Sequence, residues 1–164
     1  SGETRMRIGQ GYDVHAFGVG DRLILGGVEI PFDRSFVAHS DGDVLVHALI
    51  DSLLGGLGLG DIGQHFPDTN EKYRDCDSLN LLSVVAEVMS AHGYCLGNTD
   101  LTIVAQRPKM APYLDAMKLK ISAVLGCDKG QVNIKATTTE RLGFTGREEG
   151  IACYATALLV PLVV

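Results

Sequence analysis

One aspartate and two histidines have the types and spacing of a metal site. Asp13 and His15 are two positions apart in residues 6–15, which alternate weakly and predict a strand, and residues i and i+2 of a strand point to the same face. His47 would approach from a predicted helix. One carboxylate and two imidazoles leave at least one coordination position open, which is typical of a working zinc ion. The same set also suits iron in an oxygenase, and an Asp-x-His pair alone is more often a strand-end aspartate beside a surface histidine.

The helix predicted over residues 40–54 strengthens the metal hypothesis. Ser40 is the expected N-cap, with Asp43 three residues on as a carboxylate version of the capping box. Asp43, His47 and Asp51 share one helical face at i, i+4 and i+8. A metal-bound histidine usually has its second ring nitrogen held by a carboxylate or a carbonyl, so we expect Asp43 or Asp51 to hold His47. A solvated polar face is the alternative interpretation.

A second polar group has the residue types of a phosphate site. Residues 137–139 are three threonines, and Glu140, Gly143, Gly146 and Arg147 follow them. Hydroxyls can donate to phosphate oxygens, glycine permits close backbone approach, and the glutamate can hold a hard cation such as Mg²⁺. Threonine is also common in strands for its propensity alone.

A loop at residues 106–112 would add local positive charge. Its Lys109 precedes a predicted helix, and anions are favoured near a helix N-terminus. A plain connecting loop is the more frequent interpretation of such a segment.

Composition narrows the class of protein. The chain has 164 residues, of which 46% are hydrophobic, and this length predicts about one domain. Residues 1–5 have the character of an expression scar, so we expect a single domain over residues 6–164. With 14 basic and 20 acidic residues and no basic stripe, nucleic acid is not an expected partner. Without a secretory leader or an apolar run of membrane-spanning length, we expect a cytoplasmic protein with no membrane partner.

The remaining periodicities predict an α+β fold. Residues 22–30 indicate a hairpin that turns at Gly26 and Gly27. Helices are predicted over residues 77–94 and 112–125, and strands over residues 97–106, 131–139 and 150–160. We expect a four-stranded mixed sheet with helices on one face. The last strand is apolar at nearly every position, which predicts cover on both faces, and a partner subunit is the simplest cover.

Together these segments resemble the 2-C-methyl-D-erythritol 2,4-cyclodiphosphate synthase family. The resemblance covers residues 6–160 and includes several long motifs in the family order, which makes it highly specific. The motifs are residues 11–15, residues 38–43 continuing to 47–49, residues 60–63 with 66–69, and residues 136–140 continuing to 142–147.

The resemblance implies an enzyme of the non-mevalonate isoprenoid pathway. It would be a phosphorus–oxygen lyase that depends on divalent metals and converts 4-diphosphocytidyl-2-C-methyl-D-erythritol 2-phosphate to 2-C-methyl-D-erythritol 2,4-cyclodiphosphate with release of CMP. The substrate's own phosphate attacks, so no protein nucleophile is needed. Family members are homotrimers whose sheets pack around the trimer axis and whose active sites lie between subunits.

The resemblance also assigns residues to roles. Its zinc ligands correspond to Asp13, His15 and His47, and its magnesium or manganese ligand corresponds to Glu140. The catalytic positions correspond to His39 and Thr138. The substrate-binding positions correspond to Ser40, Asp61, Ile62, Gly63, Phe66, Asp68, Ala105, Lys109, Met110, Ala111, Ala136, Thr137, Thr139, Phe144 and Arg147. The resemblance implies that residues 105–111, with residues 136–138, bind the cytidine nucleotide.

One residue departs from the common family pattern. Glu148 lies between Arg147 and Glu149, where a small residue is frequent. In the family, charges at these flanking positions border a cavity along the trimer axis that can hold an isoprenoid diphosphate. We expect the added carboxylate to weaken anion binding there.

Two other functions remain open at the level of residues. The same ligands permit a two-metal hydrolase that uses water on a diphosphate or phosphodiester. A non-catalytic trimeric protein that binds nucleotides or isoprenoid diphosphates is the third hypothesis. Analysis of the product separates the two enzymes, and loss of CMP release in His47→Ala would distinguish them from the non-catalytic protein.

Overall fold

The structure, a computed structural model, describes residues 5–38, 40–67, 70–73 and 76–163. Its strands are β1 (Arg7–Gly18), β2 (Arg22–Leu25), β3 (Val28–Pro31), β4 (Ser35–Phe36), β5 (Tyr94–Val104), β6 (Val132–Thr137) and β7 (Gly150–Pro161). Its α-helices are α1 (Val44–Gly56), α2 (Ile62–His65), α3 (Ser78–Ala91), α4 (Leu114–Leu125) and α5 (Gly143–Gly146). None of the helices in these ranges is long and apolar enough to cross a membrane.

The main sheet is mixed, as predicted, but it has five strands in the order β4-β1-β7-β5-β6. The β5–β6 pair is parallel and the other neighbours are antiparallel. The predicted count of four is therefore wrong. The additional strand is the two-residue β4, which pairs with Phe17 and Gly18 and is too short to show a period in the sequence. Strands β2 and β3 form the predicted hairpin, with Gly26 and Gly27 at the turn.

The helices cover one face of this sheet, as predicted. Helix α1 packs on β1 and β7, α3 on β5, and α4 on β6, and α3 also contacts both α1 and α4. The core between the layers is made of fully buried side chains. They include Leu45, Leu49 and Leu53 of α1, Leu101 and Ile103 of β5, and Met117 and Ile121 of α4. This layer fixes the height of α1 above the sheet.

Asp43, and not Ser40, is the N-cap of α1. The Asp43 carboxylate accepts from Val46 N within the helix and from Gly26 N (2.9 Å) and Gly27 N (2.7 Å) in the hairpin turn. Burial of this side chain raises its pKa to about 6, although the three amide donors oppose the shift. One buried carboxylate thus joins the hairpin to the start of α1, which the local cap pattern at Ser40 did not reveal.

Two glycines of β1 let α1 approach the strand closely. A Cβ atom built on Gly11 would lie 1.9 Å from the carbonyl oxygen of Ala48, and one on Gly9 would lie 1.8 Å from that of Ser52. No side chain fits at these separations, so the helix backbone rests directly on the strand. Because Ala48 follows His47, this contact also sets the position of the histidine.

We predict that Gly11→Ala destabilises the protein by about 1–3 kcal/mol, because the added methyl group must push α1 away from β1. Chemical denaturation measures this change. Gly130→Ala is the matched control, since a Cβ atom there meets nothing within 4 Å. Equal stability of the two variants would show that the helix does not depend on this contact.

Candidate active site

The structure brings together the three side chains predicted to share an ion. Asp13 and His15 project from β1 towards α1, and His47 projects from α1 towards them. The Oδ2 atom of Asp13 lies 3.3 Å from Nδ1 of His15 and 3.3 Å from Nδ1 of His47. The three ligand atoms all lie within 4.8 Å of one another. This donor set, one carboxylate oxygen and two imidazole nitrogens, fits a divalent metal ion.

Carboxylates dominate the electrostatics of this group. Burial lowers the pKa of His47, but the hydrogen bond and charge of Asp13 and the charges of Asp43 and Asp41 outweigh it, so the pKa is raised above its ordinary value. A position where negative charge outweighs the cost of burying a positive one favours a cation.

The second ring nitrogen of His47 is held by Ser78. Its Nε2 lies 2.9 Å from Ser78 Oγ, whose hydroxyl donates to one carboxylate oxygen of Asp41, while Ser78 N donates to the other. A serine hydroxyl has one proton, so Ser78 accepts the Nε2 proton of His47. The Nδ1 atom then donates to Asp13 when the ring is protonated and offers its lone pair to a cation when the ring is neutral. The expectation that Asp43 or Asp51 holds His47 is wrong.

Asp51 instead holds residues 61–66, which include predicted substrate-binding positions, against α1. Its Oδ1 accepts from Ile62 N at 2.7 Å, and burial raises its pKa even though this amide donor opposes the shift. Asp61 is the N-cap of α2, Gly63 lies within that short helix, and Phe66 is its C-cap. These predicted substrate-binding residues therefore lie beside α1.

Ser40 lies at a cleft of about 440 Å³ next to this region. The cleft is lined by Ile24, Gly27, Ser40, Asp41, Cys76 and Asp77. Two further predicted residues, His39 and Asp68, lie outside the described residues.

The residues predicted to bind the nucleotide form a separate group at the ends of β5 and β6. Ala105 N donates to Thr137 O at 3.0 Å, so the loop at residues 105–111 runs beside residues 136–139. Within this loop Lys109 is exposed, Met110 is buried, and Ala111 begins a 3₁₀ turn.

The polar turn after β6 has its own hydrogen bonds. Thr139 Oγ1 donates to Leu142 O at 2.6 Å, and Thr138 Oγ1 accepts from Glu140 N at 3.2 Å. Glu140 is exposed with a left-handed backbone (φ 53°). In the described ranges it joins no group of three metal-ligating side chains.

Phe144 and Arg147 lie in the segment that leads into β7. Phe144 belongs to α5, and Arg147 is the C-cap of that helix. The Arg147 guanidinium pairs with Glu149 at 3.1 Å.

The two groups are far apart within one chain. The strand register aligns Asp13 with Cys153, Cys153 with Ile103, and Ile103 with Ala136. Asp13 and Ala136 thus share a row but are separated by three strand spacings, or about 14 Å. We call Asp13, His15 and His47 the metal-type group, and residues 105–111 with 136–139 the nucleotide group. A single chain does not bring these two groups together.

With this geometry established, comparison with known proteins decides the family. The model of the YgbB family matches residues 6–160. The chain belongs to the YgbB family.

Two curated relatives of this YgbB protein share most of its sequence. The 2-C-methyl-D-erythritol 2,4-cyclodiphosphate synthase of Cellvibrio japonicus is 61% identical over 154 residues, covering 94% of this chain and 97% of the relative. The protein of the same name from Haemophilus influenzae (strain PittEE) is 58% identical over 155 residues, covering 94% of this chain and 98% of the relative. Both alignments include the metal-type group and the nucleotide group.

Two solved structures are similar in fold. The bifunctional IspDF from Campylobacter jejuni superimposes with a TM-score of 0.93 at 42% identity. The superposition covers 98% of this chain and 43% of that protein. The IspF (Plasmodium falciparum) CDP complex superimposes with a TM-score of 0.85 at 38% identity, covering 96% of this chain and 97% of that protein. The YgbB fold is thus shared along nearly the whole chain.

Sequence reasoning missed the role of Ser78. Ser78 lies at the start of the helix predicted over residues 77–94, and it is 31 residues from His47 along the chain. No local spacing connects α1 with the first turn of α3. The signal is a buried serine that lies at the start of a helix and bonds to Asp41, and this can be recognised only in the tertiary structure.

We predict that Ser78→Ala weakens zinc binding by about 10- to 100-fold, because the ring of His47 loses the partner that orients it. Competition with a chromophoric chelator measures the affinity. Ser83→Ala, an exposed serine on the same helix, is the control. Unchanged zinc affinity in Ser78→Ala would remove this serine from the site.

Proposed function

We propose that this protein catalyses the cyclisation of 4-diphosphocytidyl-2-C-methyl-D-erythritol 2-phosphate to 2-C-methyl-D-erythritol 2,4-cyclodiphosphate, with release of CMP. The observation that carries the proposal is the convergence of Asp13, His15 and His47 in a chain that is 61% identical to a synthase of that name. The reaction is one of the non-mevalonate isoprenoid pathway, and its class is that of a phosphorus–oxygen lyase.

The charge of the site supports a metal-dependent reaction. Asp13, Asp41, Asp43, Asp51 and Asp61 all lie close enough to affect ionisation within this region. An anionic diphosphate would be repelled by these carboxylates unless cations lie between them. Metal ions are therefore part of the proposed binding mode.

We assign zinc to the three converging side chains and magnesium or manganese to Glu140. Three protein ligands with an open position are typical of catalytic zinc, and an exposed glutamate beside threonine hydroxyls suits a hard cation. When bound, the two cations would neutralise charge on the diphosphate and polarise its phosphorus–oxygen bonds.

The bond changes need no protein nucleophile. An oxygen of the substrate's 2-phosphate forms a bond with the β-phosphorus, and the bond from that phosphorus to the bridging oxygen breaks. CMP leaves with the bonding electron pair. The protein's part is to hold both ends of one molecule in a near-attack arrangement, which can lower the barrier by several kcal/mol.

The roles of the remaining residues follow the two groups in the structure. We propose that Ser40, Asp61, Gly63 and Asp68 hold the erythritol phosphate. His39 and Thr138 would stabilise charge in the transition state. The loop at residues 105–111, with residues 136–137, would hold the cytidine.

We also propose that the active site is completed by a second copy of the chain in a homotrimer. The reacting diphosphate must contact both the zinc ligands and Glu140. The row from Asp13 to Ala136 spans about 14 Å within one chain, so the zinc ligands of one copy would face the nucleotide group of another.

The uncovered face of the sheet supports this assembly. Ile8 is 76% exposed, and Tyr12, Val14 and Tyr154 are also exposed on the face opposite the helices. The rings of Tyr12 and Tyr154 lie 4.9 Å apart. Exposed apolar side chains on an uncovered sheet face indicate an interaction site, and a second and third copy of the same sheet would cover them.

We predict a particle with three times the 17.5 kDa chain mass in light scattering, and its dissociation in Tyr154→Glu, because the variant buries a charge in the interface. Leu119→Glu is the control, since Leu119 is an exposed residue of α4 in the helix layer and not on the uncovered face of the sheet. A wild-type protein that is monomeric and fully active would contradict the assembly.

We predict that His47→Ala lowers CMP release by at least about 100-fold, because several kcal/mol of charge stabilisation is lost with the metal. His92→Ala, at the exposed C-cap of α3, is the control. Phosphorus NMR identifies the product. A linear product would indicate a hydrolase, tight binding without turnover would indicate a non-catalytic protein, and full activity in His47→Ala would reject the mechanism.

A further inference from the structure

Glu148 is the centre of an ion-pair cluster at the end of the main sheet. We call Asp33, Arg34, Arg107 and Glu148 the Glu148 cluster. Glu148 Oε2 lies 3.5 Å from Arg107 Nη1 and 3.6 Å from Arg34 Nη2, and Arg34 Nη1 donates to the Glu148 carbonyl oxygen at 2.7 Å. Asp33 is within 3.5 Å of both arginines. One carboxylate therefore joins two segments that are distant in the sequence.

Two aromatic rings support the arginines of this cluster. The Arg34 guanidinium carbon lies 4.6 Å from the centroid of the Phe17 ring and 5.3 Å from that of Phe32, and Arg107 lies 5.3 Å from the same Phe32 ring. Cations over aromatic faces are attracted by the ring quadrupole. The Glu148 side chain is 30% exposed, so water screens its ion pairs less than those of a fully exposed carboxylate.

The backbone of Glu148 is in a conformation that glycine adopts more readily. Its φ is 61°, and few non-glycine residues have a positive φ. Such a residue persists where its surroundings hold it in place. Here the surroundings include both arginines, which a glycine at this position could not contact through a side chain.

Arg107 connects the cluster to the loop at residues 105–111. The first residues of that loop are already fixed, because Ala105 N donates to Thr137 O at 3.0 Å and Gln106 Oε1 accepts from Arg141 N at 3.1 Å. Arg107, the next residue, is fixed by Glu148 from a different direction. The loop is therefore held on one side by β6 and its turn and on the other by Glu148.

We propose that Glu148 is a positioning residue that holds this loop, through Arg107, in the conformation that binds the cytidine diphosphate part of the substrate. The inference rests on the proposed function, which assigns cytidine to residues 105–111. Glu148 itself does not touch the reacting atoms. Its carboxylate is directed to Arg34 and Arg107, while Arg147 pairs with Glu149. The expected weakening of anion binding on the trimer axis stays a separate prediction.

The direct test is a calorimetric titration of zinc-loaded protein with CDP. We expect Glu148→Gln to raise the Kd for CDP about three- to tenfold, which lies in the lower part of the range for residues in direct contact. The KM for the full substrate should rise with it, while kcat and zinc content change by less than about twofold. Glu29→Gln is the matched control, because Glu29 also pairs with an arginine (Arg22, 2.7 Å) but in the exposed hairpin.

A double-mutant cycle tests whether Glu148 acts through Arg107. In an Arg107→Ala background, Glu148→Gln should change the Kd for CDP by less than about twofold, because the residue that transmits its effect is gone. An equal effect of Glu148→Gln in both backgrounds would overturn the proposal. So would an unchanged Kd for CDP in the single variant.

Glu148→Gly separates positioning from general stability. Glycine relieves the left-handed backbone, so the midpoint of thermal unfolding should stay the same or rise while the affinity for CDP falls. A parallel loss of unfolding midpoint, zinc content and kcat with an unchanged Kd for CDP would show a structural role and overturn the proposal. Wild-type protein that binds CDP but forms no cyclic product would reject the proposed function. The double-mutant cycle of Glu148 and Arg107, measured by CDP binding, would still decide the role of Glu148.

Discussion

The direct contact between the backbones of β1 and α1 is the constraint on which the site depends. Gly9 and Gly11 leave no room for a Cβ atom against the carbonyl oxygens of α1, so the helix rests on the strand at the shortest separation that the backbone allows. His47 of α1 then contacts Asp13 and approaches His15, both of which lie in β1 after Gly11. With a longer separation, these side chains would not reach a common point.

The second constraint is charge. A chain with net charge −6 gathers several carboxylates around His47, and this arrangement attracts cations and repels a free diphosphate. In the proposed function, metal ions turn the same carboxylates into binding groups for phosphate. Because the residues proposed to bind the nucleotide lie three strand spacings from Asp13, the proposed homotrimer would bring metal and nucleotide to one substrate.

Local rules predicted the features that depend on periodicity. Asp13 and His15 share a face because side chains alternate along a strand, and the helical spacing of apolar residues placed His47 on a helix. The turn at Gly26 and Gly27 and the end of α4 at Gly126, which has a left-handed backbone, also follow from residue type.

Features that depend on tertiary contacts could not be predicted in this way. The sequence pattern placed Asp43 three residues after an N-cap at Ser40, yet Asp43 itself caps α1, and its carboxylate also accepts from two amides of the hairpin turn. Ser78 holds His47 across 31 residues, and β4 exists only because Ser35 and Phe36 meet the end of β1. In the same way, nothing in the sequence around Glu148 points to Arg34 or Arg107.

Anomalous diffraction at the zinc absorption edge, from crystals grown with zinc and CDP, tests the central claim most directly. The account predicts a zinc peak about 2.0–2.2 Å from one carboxylate oxygen of Asp13 and from the Nδ1 atoms of His15 and His47. A zinc peak bound elsewhere, with these three side chains unliganded, would contradict it.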